Sequence, residues 1–192
     1  MFVPYRQKGS IMVYMFLADG FEEVEALCPL DILRRAGVEV TTVGVGGRDM
    51  IRGSHGIMVQ TDIVDVMYRD SSPEMIILPG GMPGSENLDN SKIVDAALRA
   101  GARNGAYLCA ICAAPLVLGK RGLLEGKNAV CFPGFEEFLA GANVIEDKTV
   151  IRDGNIITAK GMGAAFEFGL ELVRALKDDA VADKISTSVF YK

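Results

Sequence analysis

Along most of the chain, short uninterrupted apolar runs alternate with segments in which apolar residues recur at helical spacing. An apolar run without polar alternation is typical of a strand buried on both faces, as in a parallel sheet. The predicted strands are Ile11–Leu17, Val38–Val45, Met75–Leu78, Tyr107–Ile111 and Asn128–Cys131. The predicted helices are Glu22–Arg35, Ser91–Arg103 and a segment through Phe166–Leu176. Gly37 ends the first of these helices, and Ser91 is the expected N-cap of the second.

Two hairpins interrupt this alternation. The glycine-rich region Gly46–Gln60 predicts one of them, and Thr149–Arg152 with Asn155–Ala159 predicts another that turns at Asp153-Gly154. The sum is an α/β fold, a flavodoxin-like three-layer sandwich with a mostly parallel central sheet and helices on both faces. In such folds the functional groups lie at the carboxyl ends of the strands.

The 192 residues fit one domain. We expect this domain to span residues 11–192, after a loose leader at residues 1–10. An apolar content of 49% with 23% charged residues favours a packed globule over a disordered chain. Neither a secretory signal pattern nor an apolar run of about 18 residues is visible, which predicts a cytoplasmic protein that does not bind membranes.

Charge and cysteine content narrow the class of ligand. The formal net charge is −5, and no basic run is present that could follow a phosphate backbone, so we do not expect nucleic acid among the partners. The four cysteines, at positions 28, 109, 112 and 131, lack the paired spacing of a zinc site. We therefore predict neither a metal nor a cofactor, and we expect free thiols in a reducing compartment.

Cys112 is the leading candidate for a reactive group. It directly follows the apolar run Tyr107–Ile111, and Ala113, Ala114 and Pro115 then open a predicted helix. This is the layout of a nucleophile elbow, in which a sharp strand-to-helix turn lifts one side chain above the sheet. A helix N-terminus behind the sulfur would favour the thiolate. The alternative is a small core residue, since cysteine in an apolar run often only fills space.

Glu25 is the leading candidate for an acid–base group. At helical spacing it shares a face with Cys28, Pro29 and Ile32, so its carboxyl is expected to be buried, and burial favours the protonated form. The alternative is an ordinary first-turn glutamate stabilised by the helix dipole. His55, the only histidine, is distant in sequence from the other motifs and is predicted to lie in a surface loop.

Gly80 and Gly81 directly follow the predicted strand Met75–Leu78. Paired glycines at this position can turn backbone N–H groups into a pocket, as in an oxyanion hole, or they can simply end the strand. The turn Asp19–Glu25 is acidic, whereas a phosphate-binding loop is glycine-rich and uncharged or basic. The sequence therefore argues against a nucleotide or flavin phosphate at this end of the sheet.

Taken together, several stretches of the chain resemble the ThiJ/PfpI family of the class I glutamine amidotransferase-like superfamily, and within it the protein-deglycase-like branch. They occur with the family's order and spacing from the first predicted strand to the C-terminus. The stretches are Asp19–Glu25, Pro29–Asp31 with Arg34–Gly37, Leu78–Gly81, Ala110–Pro115 and Gly161–Phe168. By this resemblance, Cys112 is the reactive elbow cysteine and Glu25 is the buried, protonated glutamate bonded to it. Gly80, Gly81 and the backbone of Ala113 would line an anion pocket.

The sequence departs from the family pattern at one position. Many members place a His-Pro pair near the nucleophile, and the corresponding pair here is Phe132-Pro133. If Phe132 faces the pocket, strand alternation points Cys131 away from it. Without an imidazole to take and return the proton, Cys–His hydrolysis of the peptidase or amidotransferase type is disfavoured.

The resemblance implies a cofactor-independent glyoxalase or protein deglycase that acts on reactive dicarbonyls or early glycation adducts through Cys112 and Glu25. The alternatives are a redox sensor or redox-regulated chaperone of oxidative-stress defence and, third, a cysteine hydrolase. The resemblance also implies a homodimer with the helix Glu22–Arg35 near the interface. That helix is apolar on more than one face, so it needs cover from two directions.

Overall fold

A seven-stranded sheet forms the centre of the molecule. The computed structural model describes residues 12–69 and 72–191, so the expected leader (residues 1–10) and Ile11 lie outside the described residues. The strands are β1 (Val13–Leu17), β2 (Val40–Gly44), β3 (Met50–Arg52), β4 (Met58–Gln60), β5 (Ile63–Val64), β6 (Met75–Leu78), β7 (Tyr107–Ile111), β8 (Asn128–Ala129), β9 (Asn143–Val144), β10 (Val150–Asp153) and β11 (Ile156–Ala159). The central sheet has the order β10-β11-β7-β6-β1-β2-β5. All neighbours in it are parallel except β10 and β11.

Helices cover both faces of this sheet. They are α1 (Glu23–Arg35), α2 (Gly84–Asp89), α3 (Lys92–Arg103), α4 (Pro115–Gly119), α5 (Ala165–Leu176) and α6 (Asp179–Ser188). One apolar core lies between the sheet and helices α1, α5 and α6, and a second lies between the sheet and helices α2, α3 and α4. The predicted α/β sandwich with a mostly parallel sheet is confirmed.

Most strands of the sheet lie where the apolar runs predict them. β6 and β7 have the predicted bounds, and β1 begins at Val13 within the described residues. β2 begins at Val40, two residues later than predicted. The reason is that the N–H of Val38 donates to the carbonyl oxygen of Leu33 at 3.0 Å and so closes the C-terminus of α1, with Gly37 at a positive φ of 70°.

The predicted strand Asn128–Cys131 is shorter than expected. It pairs with β9 only as far as Ala129, because the next N–H, that of Val130, donates to the side-chain oxygen of Thr158 at 2.9 Å. Val130 therefore contacts β11 of the central sheet through the Thr158 side chain and not through regular strand pairing.

Both predicted hairpins are present. β3 and β4 pair antiparallel within Gly46–Gln60. In the second hairpin Asp153 lies opposite Ile156, so the turn residues are Gly154 and Asn155 and the predicted turn at Asp153-Gly154 is one residue too early. Gly154 has a positive φ of 64°, which a glycine adopts without strain at the first position of a tight turn.

Helices α1 and α3 begin at or within one residue of their predicted positions. Ser91 accepts a hydrogen bond from the N–H of Val94 at 3.3 Å, which confirms it as the N-cap of α3. Glu22, predicted as the first residue of α1, is instead its N-cap. The sequence does not predict helices α2 and α6.

The topology brings four loops to one edge of the sheet. The strands β11, β7, β6 and β1 are consecutive neighbours and parallel, so their carboxyl ends lie side by side. The segments that follow these ends are Ala18–Glu22, Pro79–Pro83, Cys112–Ala114 and Lys160–Gly161. The candidate residues at positions 25, 80, 81, 112 and 113 lie on these segments or directly after them.

Candidate active site

Cys112 occupies a sharp turn between β7 and α4. Its φ is +64°, a left-handed conformation that costs energy for any residue other than glycine and is common where a reactive group is held in place. Two hydrogen bonds fix its backbone: its N–H donates to the carbonyl oxygen of Ala159 at 2.9 Å, and its own carbonyl accepts from the N–H of Phe132 at 2.9 Å. The strand-to-helix turn predicted at this position is therefore present.

Glu25 lies in the first turn of α1, with only 1% of its surface exposed. One carboxyl oxygen, Oε2, accepts a hydrogen bond from the N–H of Gly80 at 3.0 Å, and the carboxyl is also hydrogen-bonded to the Cys112 side chain. Gly80 has no room for a side chain, because a β-carbon there would collide with Glu25 Oε2, with Cβ of Cys112 and with the carbonyl oxygen of Ile111. The fold therefore places Glu25, Gly80 and Cys112 in contact.

The sulfur of Cys112 also faces two backbone donors. The N–H groups of Gly81 and Ala113 donate hydrogen bonds to it, and both lower its pKa. Gly81 has a positive φ of 88° and sits against the backbone of residues 20–22, so a glycine is required there by conformation and by space. Two N–H groups that converge on one atom can stabilise negative charge on it or on an oxygen bound to it.

The thiol and the carboxyl influence each other's protonation. Burial, followed by the charge of Glu25 and the hydrogen bond to it, raises the pKa of Cys112 to about 12. Burial raises the pKa of Glu25 to about 7, the charge of Glu22 adds to this rise, and hydrogen bonds from Cys112 and Gly80 oppose it. While Glu25 is ionised, burial and its charge therefore outweigh the N-terminus of α4, a helix of only five residues that is expected to favour the thiolate.

A proton on Glu25 reverses this effect. The carboxyl then carries no charge to oppose the thiolate, and its O–H can donate to the sulfur. Because the pair shares protons, its titration belongs to both groups together. Near neutral pH, where the pKa of Glu25 lies, the carboxyl can take up or release a proton, whereas burial still favours the protonated form of the Cys112 thiol.

Phe132, at the position where the resemblance implies a histidine in many members, borders the site. Its ring is 48% exposed, and a β-carbon built at Gly161 would lie 3.4 Å from Cδ2 of that ring and 3.8 Å from Oε1 of Glu25. Phe132 and Glu25 thus both approach the space beside Gly161 that a side chain there would fill. Cys131 is buried in the core on the α3 side of the sheet, with burial raising its pKa to about 11.

His55 is an exposed loop residue, as predicted, but it is not distant from the candidate motifs. Its Nδ1 lies 2.8 Å from Oε2 of Glu23 and 4.0 Å from Oε1 of Glu22, and its N–H donates to Oε1 of Glu23 at 2.8 Å. Glu23 is only 4% exposed and also accepts hydrogen bonds from Ser54 and from the N–H of Ile57. Glu23 therefore fastens the 53–57 loop to α1, a contact that sequence reasoning misses.

Metal-ligating side chains come together at one place in the described part of the chain. Glu22, Glu23 and His55 each offer a ligand atom there, all within 4.8 Å of one another. These atoms are at the N-terminus of α1, where the helix dipole disfavours cations, and the Glu23 carboxylate is already occupied by hydrogen bonds. The sequence prediction of no metal and no cofactor stays a prediction. None of the helices in the described ranges has the length and apolar character that a membrane crossing requires.

Comparison with known proteins connects this geometry to a family. The family model described as the DJ-1/PfpI family matches residues 11–175. The chain is 36% identical to the protein dj-1beta of Drosophila melanogaster, over 84% of this chain and 87% of that protein. It is 28% identical to the glutathione-independent glyoxalase DJR-1.2 of Caenorhabditis elegans, over 81% of this chain and 83% of that protein.

Solved structures agree. The crystal structure of oxidised Toxoplasma gondii DJ-1 superposes with a TM-score of 0.90 at 34% identity and covers 94% of this chain and 98% of that chain. The region that the family model matches, residues 11–175, includes all the strands of the central sheet and the elbow that carries Cys112. Sequence and fold together show that the chain belongs to the DJ-1/PfpI family.

Proposed function

We propose that the protein is a cysteine-dependent glyoxalase or deglycase that acts on small reactive dicarbonyls or early glycation adducts. The observation that carries this proposal is the contact between the partly exposed thiol of Cys112 and the buried carboxyl of Glu25. It combines a nucleophile with an acid–base group of pKa about 7, and carbonyl chemistry at neutral pH requires both. The family includes a member named as a glutathione-independent glyoxalase, which supports the same reaction class.

The proposed reaction begins with addition of the Cys112 sulfur to the aldehyde carbon of methylglyoxal. A C–S bond forms, the carbonyl π electrons move to oxygen, and the thiol proton completes a hemithioacetal. The N–H groups of Gly81 and Ala113 face the sulfur and are placed to stabilise the developing oxyanion next to it.

Glu25 then transfers a proton between the two adjacent carbons. It removes the proton from the former aldehyde carbon to give an enediol, and a proton returns to the neighbouring carbon, which leaves a thioester on Cys112. Water hydrolyses the thioester and restores the thiol. The net reaction adds one water to methylglyoxal to give lactate, so no external oxidant or reductant is needed.

A steady-state assay tests this proposal. Methylglyoxal and glyoxal are supplied without glutathione, and lactate or glycolate is quantified for the wild type, Cys112→Ser and Glu25→Gln. Cys28→Ser is the matched control, because Cys28 is also a partly buried free thiol but neither Glu25 nor the N–H groups of Gly81 and Ala113 are among the groups that shift its pKa. Turnover should persist in Cys28→Ser and vanish in Cys112→Ser. The absence of dicarbonyl turnover by the wild type would contradict the proposal.

A redox sensor or redox-regulated chaperone is the second candidate. It is favoured by the two N–H donors and the carboxyl around the Cys112 sulfur, a set that could hold a sulfinate formed by peroxide. A solved relative, Toxoplasma gondii DJ-1, is described in an oxidised form. Stoichiometric oxidation of one thiol without dicarbonyl turnover would favour this candidate. A cysteine hydrolase is the third, and it lacks a histidine beside Cys112, since His55 contacts Glu23 instead.

We also propose that the functional form is a cytoplasmic homodimer of single-domain chains, with α1 at the interface. Val24 and Leu27 on α1 are exposed, and so are Met50, Ile57 and Met58 on the nearby hairpin. Light scattering at micromolar concentration should report about twice 20.6 kDa. Val24→Glu should shift the mass toward the monomer, whereas Val66→Glu, at an exposed valine elsewhere, should leave it unchanged. A wild-type mass of one chain would contradict the dimer.

A further inference from the structure

Glu22, Glu25 and Gly80 are joined in a closed ring of three hydrogen bonds. The N–H of Glu22 donates to the carbonyl oxygen of Gly80 at 2.9 Å, and the N–H of Gly80 donates to Oε2 of Glu25 at 3.0 Å. The N–H of Glu25 then donates to Oε2 of Glu22 at 2.7 Å. The ring ties the glycine turn after β6 to the first turn of α1, so the position of the Glu25 carboxyl depends on both.

Glu22 contributes to this ring through its backbone and its side chain. Its side chain is 14% exposed, and its Oε2 caps α1 through the N–H of Glu25, the standard role of an N-cap oxygen. Because this oxygen belongs to a carboxylate, it also places a negative charge beside Glu25 in a poorly solvated position. An amide or hydroxyl cap would supply the hydrogen bond without the charge.

Several titratable groups face this arrangement. The 53–57 loop presents His55 at 4.0 Å from Glu22, α1 itself presents Glu23, and the elbow presents Cys112 to Glu25. After burial, the charge of Glu22 is the contribution that raises the pKa of Glu25, while the hydrogen bonds from Cys112 and Gly80 lower it. The positive charge of a protonated His55 opposes the effect of the Glu22 charge on Glu25. However, the His55 side chain is 71% exposed and its nearer partner is Glu23.

The geometry points to Glu22 as a positioning residue, which holds the Glu25 carboxyl against the Cys112 thiol through the ring and places a second carboxylate beside it. Glu22 acts through Glu25, since its charge is among the causes that shift the pKa of Glu25 but not among those that shift the pKa of Cys112. The inference rests on the proposed function only for its effect on turnover. Its effect on Glu25 is independent of any substrate.

The test uses three variants and one direct readout. Glu22→Gln keeps an oxygen that can cap α1 but removes the charge, Glu22→Asp keeps both, and Glu39→Gln makes the same chemical change at an exposed glutamate elsewhere. The full chain is labelled with ¹³C at the glutamate carboxyls, the Glu25 signal is assigned from its loss in Glu25→Gln, and its pKa is measured by NMR titration. The pH profile of kcat/KM for methylglyoxal is recorded in parallel.

Glu22→Gln should lower the Glu25 pKa by about half a unit or more and should move the corresponding limb of the pH profile in the same direction. Glu22→Asp should restore the wild-type value, and Glu39→Gln should leave it unchanged. An unchanged Glu25 pKa in Glu22→Gln, or an equal shift in Glu39→Gln, would overturn the inference. If no variant turns over methylglyoxal but the NMR shift occurs, the proposed function fails and the role of Glu22 stands.

Discussion

The N–H of Phe132 donates a 2.9 Å hydrogen bond to the carbonyl oxygen of Cys112, so the Phe132-Pro133 segment is fixed directly to the elbow. The Phe132 ring and the Glu25 carboxyl both lie close to the position that a β-carbon at Gly161 would occupy. The side chain that this backbone contact holds beside the elbow is a phenyl ring, which cannot transfer a proton.

Cys112 should be the first of the four thiols to be modified. Cys109 and Cys131 are buried, and burial, with the nearby charge of Asp31, raises the pKa of Cys28 to about 11. Only Cys112 combines partial exposure with two N–H donors and a neighbouring acid that can be protonated. Limiting iodoacetamide at neutral pH, followed by peptide mass spectrometry, should find Cys112 labelled ahead of the other three.

Cys28 is the informative competitor in that experiment. With Glu25 ionised, the pKa of Cys112 is about 12 and Cys28 is the more acidic thiol. With Glu25 protonated, the repulsion from Glu25 disappears and the pKa of Cys112 falls, and the N–H groups of Gly81 and Ala113 lower it further. Labelling of Cys28 first would therefore contradict both the reactive-elbow assignment and the shared proton.

Replacement of Glu25 by glutamine should change the pH dependence of stability. The pKa of Glu25 is raised in the folded state, so its contribution to the free energy of unfolding is fully present below the ordinary glutamate pKa and is lost as the pH rises through about 7. Glutamine cannot ionise, so Glu25→Gln should gain stability relative to the wild type between pH 4.5 and pH 8, by at most about 3 kcal/mol. Urea unfolding across this range measures the difference, and a constant difference would contradict the raised pKa.

The strands and the elbow could be predicted because their signals are local. All four side chains of Met75–Leu78 and four of the five in Tyr107–Ile111 are buried, so the apolar run and the strand end at the same residues. Cys112 follows directly, and strand–turn–helix order alone places it at the edge of the sheet. Helical spacing predicted only that the Glu25 carboxyl is buried, and its contact with Cys112 was implied by the family resemblance. The contact forms because β1, which precedes α1, and β7, which precedes Cys112, end at the same edge of the sheet.

Helices α2 and α6 could not be predicted as readily. α2 begins Gly84-Ser85 after a proline, a composition typical of a turn, and it forms because the N–H of Gly84 bonds to the carbonyl oxygen of Gly20 and Leu88 is fully buried. α6 does have a local signal, since Asp178 caps it through the N–H of Val181 at 2.8 Å.

The contact of Glu23 with His55 spans 32 residues and depends on where the hairpin docks, which no local pattern encodes.

Glu23 should stabilise the fold through its hydrogen bonds to the 53–57 loop. Burial raises the pKa of Glu23, but hydrogen bonds led by that from His55 outweigh it and lower the value to about 2. Its contribution is therefore present above the ordinary glutamate pKa and is lost as the pH falls toward 2. Glu23→Gln should lose about 2 kcal/mol of unfolding free energy at pH 6. Glu39→Gln, the control, should change the unfolding free energy little. Equal losses in the two variants would contradict this role of Glu23.

Phe132 should separate carbonyl chemistry from hydrolysis. Cleavage of an amide requires protonation of a poor amine leaving group, for which Cys–His enzymes use imidazolium, and a phenyl ring can donate no proton. An aldehyde needs no leaving group, and an apolar ring beside Glu25 favours a desolvated small dicarbonyl. We expect Cys112-dependent conversion of methylglyoxal to lactate with no cleavage of casein. Phe132→His should add weak activity on p-nitrophenyl acetate, whereas Phe190→His, at a phenylalanine that is 96% exposed, should not. Proteolysis by the wild type that disappears in Cys112→Ser would show that the site hydrolyses amides without this histidine.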